Sequence, residues 1–390
     1  MKQILKSSLK PVFTAAEALR WRPCYTKAHH NLDPEVHIRE AAQWITRAQD
    51  HGRDRGFSYG ATLDGDFQAS YPETTGYVIA TCLALADFYH DPDFTRRAVE
   101  AGDWEIAIQL PCGAVQAGKY ISEDPEPKPA VFNTGMVLLG WTALYHQTGE
   151  KRFLEAGRRA ADWLISVQEA DGNWVRGHSP LAAERISIYN VKSAWGLCEF
   201  GIAARDGAAI QAAVRNAHFA LTHQRSNGWF ADCCLTDGNK PLLHTIAYAM
   251  QGLLGIGLLT LKEEFLAGAA RCADSLLSLM RDDGFLPGRI DDSFRGAVCW
   301  CCLTGSAQTS IVWSQLYRHT GKRAYLDAAR TVNRYLMSRH DISSRNPAVR
   351  GAVAGSWPVW GEYGKGMVLN WATKFFIDAL LEQTKSEYHP

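Results

Sequence analysis

Glu73, in the segment SYPETTGY (70–77), is the first residue whose side chain could take part in catalysis. Tyrosines flank the carboxylate on either side, and an apolar run follows it directly. A carboxylate can act as a general acid or base when its surroundings bring its pKa near neutral pH. A negative charge in the first turn of a helix is also favoured without any catalytic role, because the free N–H groups attract it. The segment alone leaves both interpretations open.

His244, Tyr189 and Glu362 are the other candidate catalytic residues. His244, in KPLLHTIAY, stands four residues before Tyr248, which places the two on one face of a helix. Two carboxylates suit glycoside hydrolysis, whereas a His/Tyr pair suits proton abstraction beside a carbonyl group. The alternative for His244 is a packed imidazole bonded to the backbone, and Tyr189 and Glu362 can equally be structural.

Aromatic residues concentrate in loops that contain glycine. The loop GSWPVWGEYGKG (355–366) holds two tryptophans and a tyrosine, and flat aromatic faces suit the apolar faces of sugar rings. The segments DGNW and NGWF each add one tryptophan, which can instead fill gaps between helices. The predicted substrate-binding residues are Tyr71, Asn133, Trp174, Trp229, Tyr248, Gln308, Trp357, Trp360, Tyr363, Asn370 and Lys374.

The ten cysteines raise the question of a metal site. Spread through a long chain, they are typical of reduced thiols rather than a disulfide framework. Cys302 and His244 could contribute to a zinc site between adjacent hairpins, but CWCCLTG lacks the two-residue spacing of a zinc knuckle. We expect buried thiols, no metal and no cofactor, with zinc as the alternative.

The charge and hydropathy of the sequence indicate which kinds of binding partner to expect. The 390 residues include 41 basic and 41 acidic side chains, a net charge of zero, and no basic run. Nucleic acid or an anionic membrane is therefore not expected as the main partner. The N-terminus lacks the apolar core of a secretory signal, and we expect no membrane span. These features predict a cytoplasmic protein that acts on a small molecule or oligosaccharide.

An internal repeat predicts how the chain is organised. LYHQTGEKRFLEAGRRAADWL (144–164) recurs as LYRHTGKRAYLDAARTVNRYL (316–336), and each copy joins two helices through a Thr-Gly turn. A glycine-bearing turn follows each second helix at intervals of 56 to 59 residues, at Gly113, Gly172, Gly228 and Gly284. The chain is predicted to be a series of helical hairpins.

Six segments between these turns are rich in small residues and apolar on more than one face. They are Thr75–Tyr89, Thr134–Tyr145, Tyr189–Phe200, Thr245–Leu259, Thr304–Tyr317 and Trp371–Leu381. A helix that is apolar all round is buried, whereas one with a single apolar stripe lies at the surface. We therefore predict an all-α protein with an inner and an outer ring of helices. Residues 1–37 would be an N-terminal extension and 38–390 a single domain.

This arrangement resembles the six-hairpin (α/α)6 toroid superfamily over about residues 38 to 385. Members include unsaturated glucuronyl hydrolases, N-acylglucosamine 2-epimerases and the helical domains of some polysaccharide lyases and uronyl epimerases. The segment WLISVQEADGNW also resembles the QW repeat of terpenoid cyclases, but the D-x-D-D motif of squalene-type cyclases is absent from the sequence.

The toroid gives the candidate residues a common location. Its inner helices all point the same way, so their N-termini and the preceding loops surround one end of a central funnel. The residues at those six starts include Glu73, Asn133, Tyr189, His244, Cys302 and Asn370. Because Thr and Asn are also preferred helix caps, part of this pattern is expected without function.

The resemblance implies a carbohydrate-active, glycoside hydrolase-like enzyme that uses general acid/base chemistry on an oligosaccharide or a uronic-acid-containing glycan. Glu73 would be one group, with Glu362, His244 or Tyr189 as its partner. A sugar epimerase or polysaccharide lyase of the same fold, a zinc-dependent or terpenoid-cyclase-like toroid, and a non-catalytic glycan-binding toroid are the alternatives.

Overall fold

A computed structural model describes residues 31–388, apart from 123, 125, 181 and 183–185. Most of the predicted extension 1–37 lies outside the described residues, and the first described helix begins at Pro34. Twelve α-helices in the described part alternate between an outer and an inner ring. The outer helices are α1 (Pro34–Asp50), α3 (Pro92–Ala107), α5 (Lys151–Ser166), α7 (Gly207–Thr222), α9 (Glu263–Leu279) and α11 (Arg323–Arg339). The inner helices are α2 (Pro72–Tyr89), α4 (Val131–Thr148), α6 (Val191–Ala204), α8 (Leu243–Thr260), α10 (Leu303–Thr320) and α12 (Asn370–Tyr388).

The distinction between the rings follows from where apolar residues fall on each helix. In α5, the buried residues Phe153, Ala156, Ala160 and Leu164 recur at helical spacing and form one stripe. In α8, burial extends around most of the helix. By length and composition α8 could also cross a membrane, but 78% of it is buried inside the protein. The predicted all-α toroid with two rings is confirmed.

Each inner helix packs against the next, and the ring closes where α12 contacts α2 and where α1 packs on α12. Small residues allow close approach near the inner N-termini. A Cβ added to Gly76 would lie 2.5 Å from the Val137 Cα, and one added to Gly135 would lie 2.5 Å from the Ser193 Cα. Larger side chains at these positions would push the inner helices apart.

A repeated pair of contacts joins successive outer helices. The turn glycines Gly113, Gly172, Gly228 and Gly284 all have φ near +90°, which only glycine adopts easily. In addition, a glutamine at or just after the end of α1, α3, α5 and α7 donates to a backbone carbonyl of the next outer helix. These bonds join Gln49 to Arg97, Gln109 to Ala156, Gln168 to Ala212 and Gln224 to Gly268. The resemblance to the QW repeat therefore reflects a structural joint between hairpins.

Four very short strands order the loops at the N-terminal end of the inner ring. β1 (Gly60–Thr62) pairs antiparallel with β4 (Met367–Leu369), and β2 (Cys301–Cys302) pairs antiparallel with β3 (Ser356–Trp357). Because β1 and β4 belong to the first and last loops, their pairing also helps to close the ring.

Candidate functional site

A cavity of about 480 Å³ lies at the end of the toroid where the inner helices begin. We call it the front cavity. The starts of α2, α4, α8 and α12, and the 3-10 turn Ile188–Asn190 before α6, all contribute to its wall. Its lining residues are Tyr59, Tyr71, Glu73, Gly118, Lys119, Phe132, Asn133, Ser179, Tyr189, Leu235, Thr236, His244, Thr245, Tyr248, Tyr363, Met367 and Trp371. Besides Glu73 and His244, five of the predicted site residues are therefore brought together here: Tyr71, Asn133, Tyr189, Tyr248 and Tyr363.

Glu73 lies in the first turn of α2, and its carboxylate faces this cavity. The Tyr71 hydroxyl donates to Glu73 Oε2 over 3.2 Å. Among the described residues no Lys, Arg or His lies within 4 Å as an ion-pair partner. Burial among aromatic rings raises the pKa of Glu73 to about 7, and the hydrogen bond from Tyr71 opposes this only in part. At neutral pH the group is thus divided between its protonated and ionised forms, as a general acid or base requires.

His244 is buried on the opposite wall and is tied to polar groups in the centre of the ring. Its Nδ1 lies 2.7 Å from Gln308 Oε1, and Gln308 Nε2 lies 3.3 Å from Gln251 Oε1. Burial lowers the pKa of His244 to about 3, so the imidazole is neutral at physiological pH. With Nδ1–H donating to Gln308, Nε2 would be left as an acceptor.

The remaining polar groups of the wall are mostly tyrosines. Tyr248 shares a hydrogen bond of 3.3 Å with Tyr77, and its ring centre lies 4.2 Å from that of His244. Tyr363 accepts a hydrogen bond of 2.7 Å from Trp371 Nε1. Burial raises the pKa of Tyr189 and of Tyr248, so both keep their protons at neutral pH and can donate hydrogen bonds. Such a wall offers flat faces and neutral donors.

Several polar residues at the helix starts bond to loop backbone. Thr75 Oγ1 accepts from the Phe57 amide, and Thr134 Oγ1 accepts from the Val115 amide, each over 2.9 Å. Asn133 and Asn370 donate to loop carbonyls at 2.8 and 2.7 Å. Asn133 still lines the front cavity, whereas Asn370 does not. The recurrence of Thr and Asn at these starts is therefore explained by the attachment of loops to helices.

Glu362 does not reach the front cavity. Its side chain is 62% exposed and forms an ion pair of 2.9 Å with Arg289 Nε. Arg289 also donates to Thr236 Oγ1 and to the Lys240 carbonyl. This cluster joins three loops at the cavity rim, so the structure supports a positioning role for Glu362 instead of the predicted catalytic one.

The four predicted tryptophans also lie outside the cavity wall. Trp174 is fully buried and donates from Nε1 to the Leu164 carbonyl. Trp229 is 3% exposed and donates to the Ile290 carbonyl. Trp357 and Trp360 pack against the core from the 355–366 loop, and the Arg339 guanidinium lies 5.2 Å from the Trp357 ring centre. Trp174 and Trp229 therefore use their apolar faces for packing, which corrects the substrate-binding prediction for these two. For the partly exposed Trp357 and Trp360 that role stays a prediction.

Gln308 and Lys374 require corrections of a similar kind. Gln308 is fully buried behind His244, where it orients the imidazole. Lys374 lines a different cavity, at the other end of the ring, and bonds to Asp378. Each follows a helix start by several residues, so the rise of the helix places its side chain below the front cavity.

Several residues that line the front cavity were not predicted from the sequence, among them Tyr59, Lys119, Phe132 and Trp371. Lys119 Nζ lies 4.7 Å from the Tyr59 ring centre and donates to Gln68 Oε1. The hairpin period could have revealed part of this set, because one cavity-lining residue follows another at intervals of 57 to 60 residues. These equivalent positions are Tyr59, Lys119, Ser179 and Thr236.

None of the cysteines in the described residues lines the front cavity. The nine cysteines in the described residues are free thiols, and Cys302 Sγ accepts from the Gly305 amide at the start of α10. Across the described part of the chain, no group of three or more His, Cys, Asp and Glu side chains is arranged to hold a metal ion. The alternative of zinc at Cys302 and His244 thus has no third ligand of these types there.

Comparison with known proteins finds similarity in the fold but not in the sequence. No protein-family model matches the sequence, and no curated protein sequence is significantly similar to it. Among solved structures, an unsaturated glucuronyl hydrolase specific for heparin superposes with a TM-score of 0.73 at 16% identity, covering 91% of this chain and 98% of its own.

Two further structures extend the resemblance. The unsaturated glucuronyl hydrolase of Bacillus sp. GL1 gives a TM-score of 0.69 at 13% identity, covering 90% of this chain and 96% of its own. The cellobiose 2-epimerase of Bacillus thermoamylovorans gives 0.70 at 10% identity, covering 88% and 96%. This chain has the (α/α)6 toroid fold. Identities this low establish the architecture, and the activity must be argued from the site.

Proposed function

We propose that this protein is a carbohydrate-active enzyme of the glycoside hydrolase type, acting on an oligosaccharide that ends in a uronic acid. The observation that carries the proposal is Glu73, a carboxyl group with a pKa of about 7 in the wall of a cavity rich in aromatic side chains. Glu73 would be the general acid and base. Supporting evidence comes from the fold shared with glucuronyl hydrolases.

The size and lining of the front cavity suit a sugar. About 480 Å³ accommodates one or two sugar rings, and the wall combines flat faces with hydrogen-bond donors and acceptors. Tyr59 and Trp371 meet edge to face with their ring centres 4.6 Å apart, beside Tyr71. Aromatic groups of this kind can contact the apolar face of a sugar ring while Asn133 and the tyrosine hydroxyls bind its polar groups.

The number of acids in the wall favours one particular chemistry. Glu73 is the only carboxylic acid among the described residues that line the front cavity. Ordinary glycoside hydrolysis uses two carboxyl groups, one on each side of the scissile bond. A 4,5-unsaturated uronide is an enol ether, whose hydration can proceed with one group that first donates a proton and then accepts one from water. We therefore favour an unsaturated uronide as the substrate.

The proton balance of that reaction fits Glu73. Its protonated form would donate to the alkene carbon of the enol ether, leaving an oxocarbenium centre next to the ring oxygen. The resulting carboxylate would accept a proton as water adds to that centre, which regenerates the acid. The hemiketal formed would open and release the neighbouring sugar, so no further co-reactant is required.

The direct experiment is to incubate the purified protein with disaccharides that carry an unsaturated uronic acid and to follow the loss of their ultraviolet absorbance. Consumption of the double bond with release of the second sugar supports the proposal. If no unsaturated uronide from a panel covering different linkages is consumed, while a saturated oligosaccharide is hydrolysed, the enol ether chemistry is wrong.

The pH dependence of this reaction follows from Glu73. A proton donor with a pKa of about 7 is protonated below that value, so kcat/KM should fall as pH rises through about 7. Well above it, the decline should approach about tenfold per pH unit, as the protonated fraction falls. A kcat/KM profile that rises through pH 7 would contradict the role of general acid.

Lys119 offers a test of uronate recognition. It is a cationic side chain in the front cavity wall, and we expect Lys119→Met to raise KM for the uronate substrate by about tenfold, the cost of one weakened ionic contact. Lys128→Met is the matched control, because Lys128 pairs with Glu126 and does not line the cavity. Equal kinetics for the two variants would remove Lys119 from the binding site.

An epimerase is the second candidate, and one observation favours it. Neutral His244, with Tyr248 against its ring, could abstract a proton beside a carbonyl, and the cellobiose 2-epimerase shares the fold. Incubation with cellobiose in deuterium oxide distinguishes the two. Incorporation of deuterium beside the anomeric carbon supports epimerisation, whereas cellobiose that stays unlabelled while unsaturated uronide is consumed supports the hydrolase.

A further inference from the structure

A second cavity of about 350 Å³ lies at the opposite end of the toroid, among the later turns of the inner helices. We call it the rear cavity. Its wall includes Lys192, Trp195 and Glu199 on α6, Gln251 on α8 and Lys374 on α12. The exposed residues His146 and Lys385 also line it, so it is open to solvent at its rim. None of these residues lines the front cavity.

Most charges in the rear cavity are paired, but two are not. Lys374 bonds to Asp378, and Lys385 bonds to Glu382. Lys192 is 3% exposed, and its ammonium group donates a hydrogen bond of 2.6 Å to an amide oxygen, Gln251 Oε1. Glu199 accepts from Trp195 Nε1 over 3.0 Å. Across the described residues, neither Lys192 nor Glu199 has an oppositely charged group within 4 Å.

An unpaired buried ammonium group is expensive to maintain. Burial, and secondly the neighbouring charge of Lys374, hold the pKa of Lys192 well below its ordinary value. Burial likewise raises the pKa of Glu199. The packing itself does not require a charge, because the Lys192 Nζ lies against the rings of Trp195, Tyr248 and Phe375, at 4.9 to 5.3 Å from their centres. An apolar side chain of similar length would suit these surroundings better.

Trp195 connects the two unpaired groups. Its ring contacts the Lys192 ammonium, and its indole N–H bonds to Glu199. The wall therefore presents, side by side, a buried amine that a ligand carboxylate would hold in its protonated form, an aromatic face and a hydrogen-bond acceptor. A complementary ligand would have a carboxylate, an apolar face and at least one hydroxyl group, within the size of a single sugar or smaller.

We propose that the rear cavity is a binding site for a small hydroxylated carboxylic acid. The ligand carboxylate would pair with Lys192 and Gln251 would remain beside it, while a hydroxyl group would donate to Glu199 and the apolar face would lie on Trp195. This site is separate from the front cavity, and the inference does not depend on the reaction proposed there. A free sugar acid and a hydroxy acid of metabolism share this chemistry.

The test is calorimetric titration of the intact protein with D-glucuronate, with the shorter hydroxy acid D-glycerate, and with D-glucose as the uncharged control. Lys192→Met removes the charge and keeps most of the length, and it should weaken acid binding at this site at least tenfold while its melting temperature stays equal or rises. Lys385→Met is the matched control, because Lys385 lines the same cavity but is already paired with Glu382; its affinity should change less than about threefold. Glu73→Gln, in the front cavity, should leave this binding intact.

The same variants distinguish binding in the rear cavity from binding in the front cavity. Glucuronate can occupy both, in which case wild-type protein binds two molecules and Lys192→Met binds one. Binding that survives in Lys192→Met at full stoichiometry would overturn the proposal, as would equal affinity for glucose and glucuronate or an absence of binding by either acid. A failure of the hydrolase assay would not affect these outcomes, because none of them uses turnover. Preferential binding of glucuronate over glycerate would identify a sugar acid as the source, and the reverse a shorter hydroxy acid.

Discussion

Replacing Glu73 by glutamine should reduce kcat for the uronide substrate by about 100-fold to 10,000-fold, the usual contribution of a general acid or base. The amide keeps the size of the carboxyl group and can still accept the hydrogen bond from Tyr71. It has no proton that titrates near pH 7. The measurement is kcat beside a melting curve, and the melting temperature should stay the same or rise, because a partly buried acid without a cation partner is removed.

Glu362→Gln is the matched control for this experiment. Glu362 is a carboxylate of the same type near the rim, but it is largely exposed and paired with Arg289. Because Glu362 does not line the front cavity, its replacement should change kcat by less than about threefold, the effect expected of a residue that takes no part in proton transfer. If Glu362→Gln lost activity and Glu73→Gln kept it, the catalytic assignment would have to be reversed.

Of the substitutions proposed for this protein, Trp174→Ala should destabilise it most, lowering the free energy of unfolding by about 3–5 kcal/mol. Trp174 is fully buried, and its indole N–H bonds to the Leu164 carbonyl, so the variant leaves a large cavity and an unsatisfied acceptor. Chemical denaturation measures this directly. Substrate affinity of the folded fraction should be unchanged, because Trp174 lies outside the front cavity wall.

Trp360→Ala serves as its control. Trp360 is only partly buried and packs on the core from a loop, so its loss should cost about 1–2 kcal/mol. If Trp174→Ala were as stable as wild type and instead bound substrate poorly, the assignment of Trp174 to the core would be wrong. Trp174 would then be a substrate-binding residue, as the sequence of the DGNW segment predicted.

The fold could be predicted from the sequence because the hairpins repeat. Gly113, Gly172, Gly228 and Gly284 mark the turns, and each proves to need its positive φ. Inner helices could be told from outer ones by how much of the helix surface is apolar. The inner helix α8 is buried around most of its surface, whereas the outer helix α5 is buried along one stripe. These signals are local or periodic, so a single sequence contains them.

The site could be predicted only in part. Glu73, Tyr189 and His244 were located by their position at helix starts, and a toroid brings such positions together. Whether a tryptophan next to a glycine faces a cavity or the core depends on the direction of its side chain within the turn, which spacing does not specify. Trp174 and Trp229 point into the core for this reason, and Lys119 was missed because its loop has no distinctive composition.

The most direct test of the central claim is a crystal structure of the Glu73→Gln variant with a disaccharide that ends in an unsaturated uronic acid. We expect the unsaturated ring in the front cavity, with its alkene carbon within about 3–3.5 Å of the amide that replaces the carboxyl group, a distance suited to proton transfer. Its apolar face should contact Tyr59 or Trp371, and its carboxylate should lie near Lys119. A sugar bound outside the front cavity, or bound there with the double bond remote from position 73, would contradict the account.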